Sequence, residues 1–159
     1  MSNLQVAEDK VEYLYKQKKM NMEPQKLKSA NQITIFLEKI ILGQSEFELH
    51  LNKTDRKQNG VFLTNSLSTV ENVLSIVEIN FEIFNKRILE PSCGQGIFVL
   101  KLITNIYNQF PDEKLITGFI SNNLFFVDIQ KEMVQKTIFN IQTLYLYLFE
   151  DNYTGTLMQ

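Results

Sequence analysis

Residues 88–98 read ILEPSCGQGIF. Apolar Ile88 and Leu89 run into an acid, a proline, a cysteine and two glycines one residue apart, and the chain then turns apolar again. Arg87–Glu90 is expected as a short strand, with Pro91 just past its end because a proline has no N–H to give a ladder. Gly94 and Gly96 provide a tight turn and let backbone come close to a ligand. A helix is expected at once, over Ile97 to Gln109, apolar on nearly every face and so buried on most sides, with Pro111 after its end.

Downstream, Leu124 to Asp128 (LFFVD) reads as a second buried strand closing on an acid. It is followed by an amphipathic stripe of Met133, Val134, Thr137, Ile138, Ile141, Leu144, Tyr145 and Leu148 at helical spacing. The segment between, LITGFISNN, reads as irregular or partly extended. Strand, glycine turn, helix, strand with terminal acid and helix together give the first half of a doubly wound α/β sheet.

Upstream the chain reads as helical. Val11, Leu14 and Tyr15 share a face over residues 4–20, and Lys16, Lys18 and Lys19 follow as a basic cluster, read as a solvated helix face ahead of the alternative, a phosphate contact. Ser29 and Gln32 form a capping box before Ile33, Phe36, Leu37, Ile40 and Ile41, and Gly43 stands where a left-handed C-terminal residue is wanted. His50 reads as a plain surface or strand residue. Asn59-Gly60 marks a turn, Val61–Thr64 an extended piece, and Ser68 with Glu71 a second capping box. Val70, Val73, Leu74, Val77 and Phe84 then make a stripe reaching about residue 84. The expected division is a helical region over 1–57 and an α/β region over 58–159.

Composition narrows the function. The 159 residues fit one domain, or one plus a small appendage, and a chain of that size buries roughly 70% of its unfolded surface. With 44% hydrophobic and 21% charged residues it reads as soluble and globular. A net charge of -2 gives no global basic field for nucleic acid, so phosphate contacts would have to be local or supplied elsewhere. One cysteine, Cys93, excludes an internal disulfide framework and fits a reducing, cytoplasmic setting, and one histidine argues against a His-rich metal site. No signal-peptide core or membrane-length apolar run is present.

In doubly wound sheets ligands bind beyond the carboxyl ends of the strands. There the glycine turn and a helix N-terminus favour an anionic or carboxylate-bearing group, and Asp128 is placed to accept from a ribose diol. Together they describe a nucleoside-containing cofactor. A dinucleotide fingerprint wants a third glycine where Val99 stands, and no Lys-Ser/Thr follows for a P-loop.

These residues resemble the S-adenosylmethionine-binding motif of the adenine-N6 DNA methyltransferases, whose form is Asp/Glu-Pro-x-Cys/Ser-Gly-x-Gly-x-Phe. GVFLTNSLSTVENVL is similar to that family's Gly-x-Phe/Tyr-x-Thr-Pro segment, and LFFVDIQKEMVQKTIFNI to its ribose-binding strand and following helix. The resemblance covers 58 to about 148, with motifs at 60–64, 90–96 and 124–128. It implies a Rossmann-like S-adenosylmethionine-dependent methyltransferase sheet of the restriction–modification type.

Carried over, Glu90, Pro91, Cys93, Gly94 and Gly96 form the cofactor motif, with Glu90, Cys93 and the two glycines along the methionine moiety. Phe62 and Thr64 close over it, Asp128 holds the ribose hydroxyls and Ile129 packs near adenine. Cys93 is then a wall residue, or an inert buried thiol, and not a nucleophile. The family's Thr-Pro is Thr64-Asn65 here. Its catalytic Asp/Asn-Pro-Pro-Tyr/Phe motif is absent, since no Pro-Pro occurs and Asp151-Asn152-Tyr153 comes too early. The resemblance thus implies the N-terminal, cofactor-binding part of a longer enzyme, inactive alone, with no catalytic residue and no metal. It would meet DNA through a missing C-terminal part and partner the rest of the enzyme or other restriction–modification subunits. Alternatives are a fragment of a protein-glutamine or RNA methyltransferase, a non-catalytic cofactor-binding or interaction module, or an α/β domain without ligand.

Overall fold

The computed structural model describes residues 27–50 and 63–158. The expected helix over 4–20, the Asn59-Gly60 turn and Phe62 lie outside the described residues. Helix α1 is Ala30–His50. Its start is the expected reciprocal cap: Ser29 N donates to Gln32 Oε1 at 2.9 Å and Gln32 N to Ser29 Oγ at 3.3 Å. Gly43 does not end the helix. The inward face continues past it, with Ile33, Leu37, Gln44 and Glu48 all buried, so packing overrides the glycine's local preference. His50 is exposed at the last helical position.

Helix α2 is Leu67–Leu74, capped by Ser66, whose Oγ accepts from Thr69 N at 3.3 Å. The capping box expected at Ser68 is therefore displaced by two residues: Ser68 bonds Ser66 Oγ, and Glu71 reaches Lys101 Nζ at 2.8 Å. Nor does the stripe run unbroken to Phe84. Ser75 closes α2, and Asn80 starts a separate 3-10 turn, Phe81–Asn85, by accepting from Glu82 N at 3.0 Å. Phe81 and Phe84 meet Phe110 edge to face, with ring centroids 5.8 and 5.5 Å away.

Strands β1 (Ile88–Glu90) and β2 (Leu124–Phe126) pair in parallel, Ile88 with Leu124, Leu89 with Phe125 and Glu90 with Phe126. Helices α3 (Ile97–Gln109) and α4 (Glu113–Asn122) connect them. The expected α3 is present with its expected limits, buried on most of its surface. Helix α4 corrects the reading of 115–123 as irregular. Asp112 caps it by accepting from Leu115 N at 3.1 Å, and Ile116, Phe119 and Ile120 form its buried face. Gly118 disguised that pattern, yet a glycine inside a helix costs only about 1 kcal/mol relative to alanine.

Helix α5, Lys131–Phe149, buries seven of the eight stripe residues, Ile138 being half-buried, and also Asn140. Beyond β2, Phe126 N donates to Met158 O at 3.3 Å on the edge opposite β1. The architecture is mixed α/β, with helices around a small two-stranded parallel sheet and a core centred on α3. Helix α1 belongs to that core through Ile33 and Leu37, and Phe36 stacks on Tyr147 of α5 at 4.8 Å. Among the described residues no helix is long and apolar enough to cross a membrane.

Candidate ligand site at the strand ends

Parallel pairing brings both strand carboxyl ends to one side. The ladder continues into the loops, with Val127 N donating to Glu90 O at 3.0 Å and Cys93 N to Val127 O at 2.9 Å. That step sets the 93–96 turn against Asp128. Gly94 (φ 54°) and Gly96 (φ 89°) are both left-handed, where glycine has no Cβ penalty. Asp128 Oδ2 accepts from Gly94 N at 3.0 Å and Oδ1 from Gln130 N at 2.9 Å. Turn and acid, 34 residues apart in sequence, are thus directly bonded. An ionised carboxylate has about four acceptor sites, so two bonds leave capacity on both oxygens.

Helix α5 fixes the turn from below. Thr137 Oγ1 donates to Gly94 O at 2.9 Å, and Asn140 Nδ2 to Gln95 O at 2.8 Å. Gly96 lies so close that a Cβ would stand 2.9 Å from Thr137 Cγ2. What Gly96 admits is therefore α5. Gly94 faces Leu63, whose Cδ2 a Cβ would meet at 2.9 Å.

A cavity of about 120 Å³ opens above the turn. Gln44 of α1, Leu63 and Thr64, the turn at 92–95, the first turn of α3, residues 128–130 and Met133 bound it. The Leu63–Asn65 segment is pinned across it by Glu48, whose carboxylate accepts from Leu63 N and, at 3.0 Å, from Asn65 Nδ2. Of the residues named from sequence, Thr64, Cys93, Gly94, Asp128 and Ile129 meet around this cavity. Glu90, Pro91 and Gly96 do not line it. Glu90 accepts from Ser92 N at 3.1 Å, and burial raises its carboxyl above the ordinary range. Pro91 is exposed and Gly96 buried.

Burial also pushes the Cys93 thiol up, against a lowering hydrogen bond from Thr137. It stays protonated at neutral pH and is no ready nucleophile. The turn's amides are less available than the sequence implied: Gly94 N is held by Asp128, and Gly96 N donates to Cys93 O at 2.7 Å. Gly96, the residue that opens α3, has no side chain to cap it, so among the described residues its first turn keeps the positive end of the helix toward the cavity. Among the described residues no three His, Cys, Asp or Glu side chains cluster to hold a metal ion.

Two residues escaped the sequence reading. Gln44 is 1% exposed and Gln95 8% exposed, and both line the cavity. Among the described residues, Gln44 Nε2, Gln44 Oε1 and Gln95 Nε2 have no hydrogen-bond partner. Gln44 was detectable, since it continues the buried stripe seven residues after Leu37. Gln95 was not, because the middle of a Gly-x-Gly turn carries no pattern. No family model, curated protein or solved structure matches this chain.

Proposed function

We propose that the chain binds S-adenosylmethionine beyond β1 and β2, as the cofactor part of a site-specific DNA adenine-N6 methyltransferase of a restriction–modification system. The observation that carries this reading is the bond between Asp128 and Gly94 at the rim of a cavity with unpartnered amides. Parallel strands, with Met158 at the far edge of β2, are compatible with the start of a Rossmann-like sheet. The cavity is smaller than the roughly 300–1,000 Å³ usual for small-molecule sites, but it suits the amino-acid end of such a cofactor. Its nucleoside would extend past Asp128 toward Ile129, which is 91% exposed.

When bound, the cofactor supplies an electrophilic sulfonium methyl. The chain's own residues bind and orient: Asp128 accepts from the ribose hydroxyls, Cys93 and Gly94 flank the methionine chain, and Thr64 covers it. Nothing in this sequence grips an adenine amino group, because it contains no Pro-Pro motif. Transfer therefore needs residues outside it. That same absence favours, as second reading, a cofactor-binding module with no transferase activity of its own.

Calorimetry with S-adenosylhomocysteine tests the proposal. Asp128→Ala removes bonds to a charged acceptor, each worth roughly 1.5–3 kcal/mol, so affinity should fall about tenfold or more. Unchanged affinity in a folded Asp128→Ala protein refutes the assignment. Transfer assays on DNA, RNA and protein substrates, with the catalytic part supplied, separate the adenine reading from RNA and glutamine methylation.

A further inference from the structure

We propose that Gln44 and Gln95 recognise the zwitterionic amino-acid group of the ligand, so that α1 contributes directly to specificity. The inference rests on the cofactor reading of the same cavity and adds a chemical class and a residue outside the glycine turn.

Gln44 occupies a position on α1 where a leucine would satisfy both helix and core. A buried amide without partners is costly, and an apolar group of similar shape is neutral or stabilising there. Among the described residues both of its polar atoms are orphaned, and Gln95 adds a third such atom in the wall of the same cavity. The atoms complement an α-amino acid. The two Nε2 groups donate to a carboxylate, and Gln44 Oε1 accepts from an ammonium. The uncapped first turn of α3 adds attraction for the carboxylate. Charge argues the same way. Asp128 is the one ionisable side chain other than Cys93 among the lining residues, with no Lys or Arg, which suits a group of zero net charge better than a phosphate.

The test compares S-adenosylhomocysteine with 5′-methylthioadenosine, which shares the nucleoside and thioether but has no amino-acid end. The full chain should bind the first about tenfold more tightly or better, the value of one hydrogen bond to a charged group. Gln44→Leu should erase most of that preference while leaving 5′-methylthioadenosine affinity unchanged. It should also raise the ligand-free Tm by about 2–4 °C, the shift expected from removing an orphan amide in a chain of this size. A residue with a purely structural role would lower Tm on replacement.

Equal affinities for the two compounds in the unsubstituted chain overturn the inference and leave the cofactor reading standing. So does a Gln44→Leu protein that keeps the preference, the result expected if the amides hold only water. If neither compound binds, the cofactor reading fails and the inference with it.

Discussion

Gly96→Ala should be markedly more destabilising than Gly94→Ala, although both glycines are left-handed. An L-residue in that region costs roughly 1–2 kcal/mol, which is the whole conformational term at Gly94, whose φ of 54° lies in the left-handed well. The added methyl there meets the far end of Leu63, a flexible side chain that can turn away. Gly96 sits at φ 89°, further from that well, and its Cβ would lie 2.9, 3.1 and 3.3 Å from Thr137 Cγ2, Oγ1 and Cβ. Thr137 is fully buried and its hydroxyl holds Gly94 O, so it cannot retreat without breaking that bond. Overpacking of this kind costs about 1–3 kcal/mol more. Gly96→Ala should thus lose about 2–5 kcal/mol, a large fraction of the roughly 5–15 kcal/mol typical of a domain. Urea unfolding followed by circular dichroism measures both variants. Thr137→Ser, which removes Cγ2 and keeps the hydroxyl, should recover about 1 kcal/mol of the Gly96→Ala loss in a double-mutant cycle. A Gly94→Ala loss equal to or above that of Gly96→Ala, or a cycle with no coupling, refutes the placement of the turn against α5.

Glu48→Leu removes both acceptors of the Leu63–Asn65 segment and should cost about 1–3 kcal/mol while accelerating hydrogen exchange at Leu63 N; exchange at the unsubstituted rate speaks against the clamp. Glu90 is an acid raised by burial above its ordinary 4.5. The folded state therefore holds its proton more tightly, and stability falls as pH rises from 4.5 through the folded value. Glu90→Gln should accordingly stabilise the protein at neutral pH, with the gain fading toward pH 4.5; an unfolding midpoint series in which the gain does not fade contradicts this. Burial, aided by the Glu113 carboxylate and opposed by the bond to Thr117, pushes the Tyr145 hydroxyl up to about 12, and burial raises Tyr107 and Tyr153 as well. The unfolded chain loses these protons first, so stability should fall as pH rises from 10 toward 12, as urea midpoints would register; a flat profile excludes it.

How much was legible depended on the kind of signal. Ile97–Gln109 and the α5 stripe were readable because burial repeats along them with helical period, and a period survives one anomalous residue. The capping box at Ser29 was readable because both partners lie within one turn. Helix ends governed by tertiary packing were not: Gly43 is a local stop sign overruled by Gln44 and Glu48 further along the same face. At Ser66 and Ser68, two hydroxyls competed for one cap, and composition does not rank them. Helix α4 was missed because Thr117 and Gly118 obscure a pattern that Asp112 makes decisive. In the site, the pairing of glycine turn and acid was legible from the strand-end rule alone, and Gly94 and Asp128 are bonded. That Gly96 serves α5 was not, since nothing in the sequence states which residue will face a missing Cβ.

The arrangement of polar atoms connects this packing to function. The core is well satisfied where its polar groups serve the fold: Thr137 and Asn140 hold the turn, Asp112 caps α4, and Glu48 holds the Leu63–Asn65 segment. Among the described residues, buried side-chain atoms without partners occur in two residues only, and both line one cavity. Random imperfection of packing would scatter such atoms through the interior, because each buried amide faces the same desolvation cost wherever it lies. Their concentration beside the strand ends, under a segment pinned from α1, is what the proposed reading accounts for: a ligand there would complete these hydrogen bonds. Under the proposed reading, the Gln44 amide weakens the free protein and strengthens the complex.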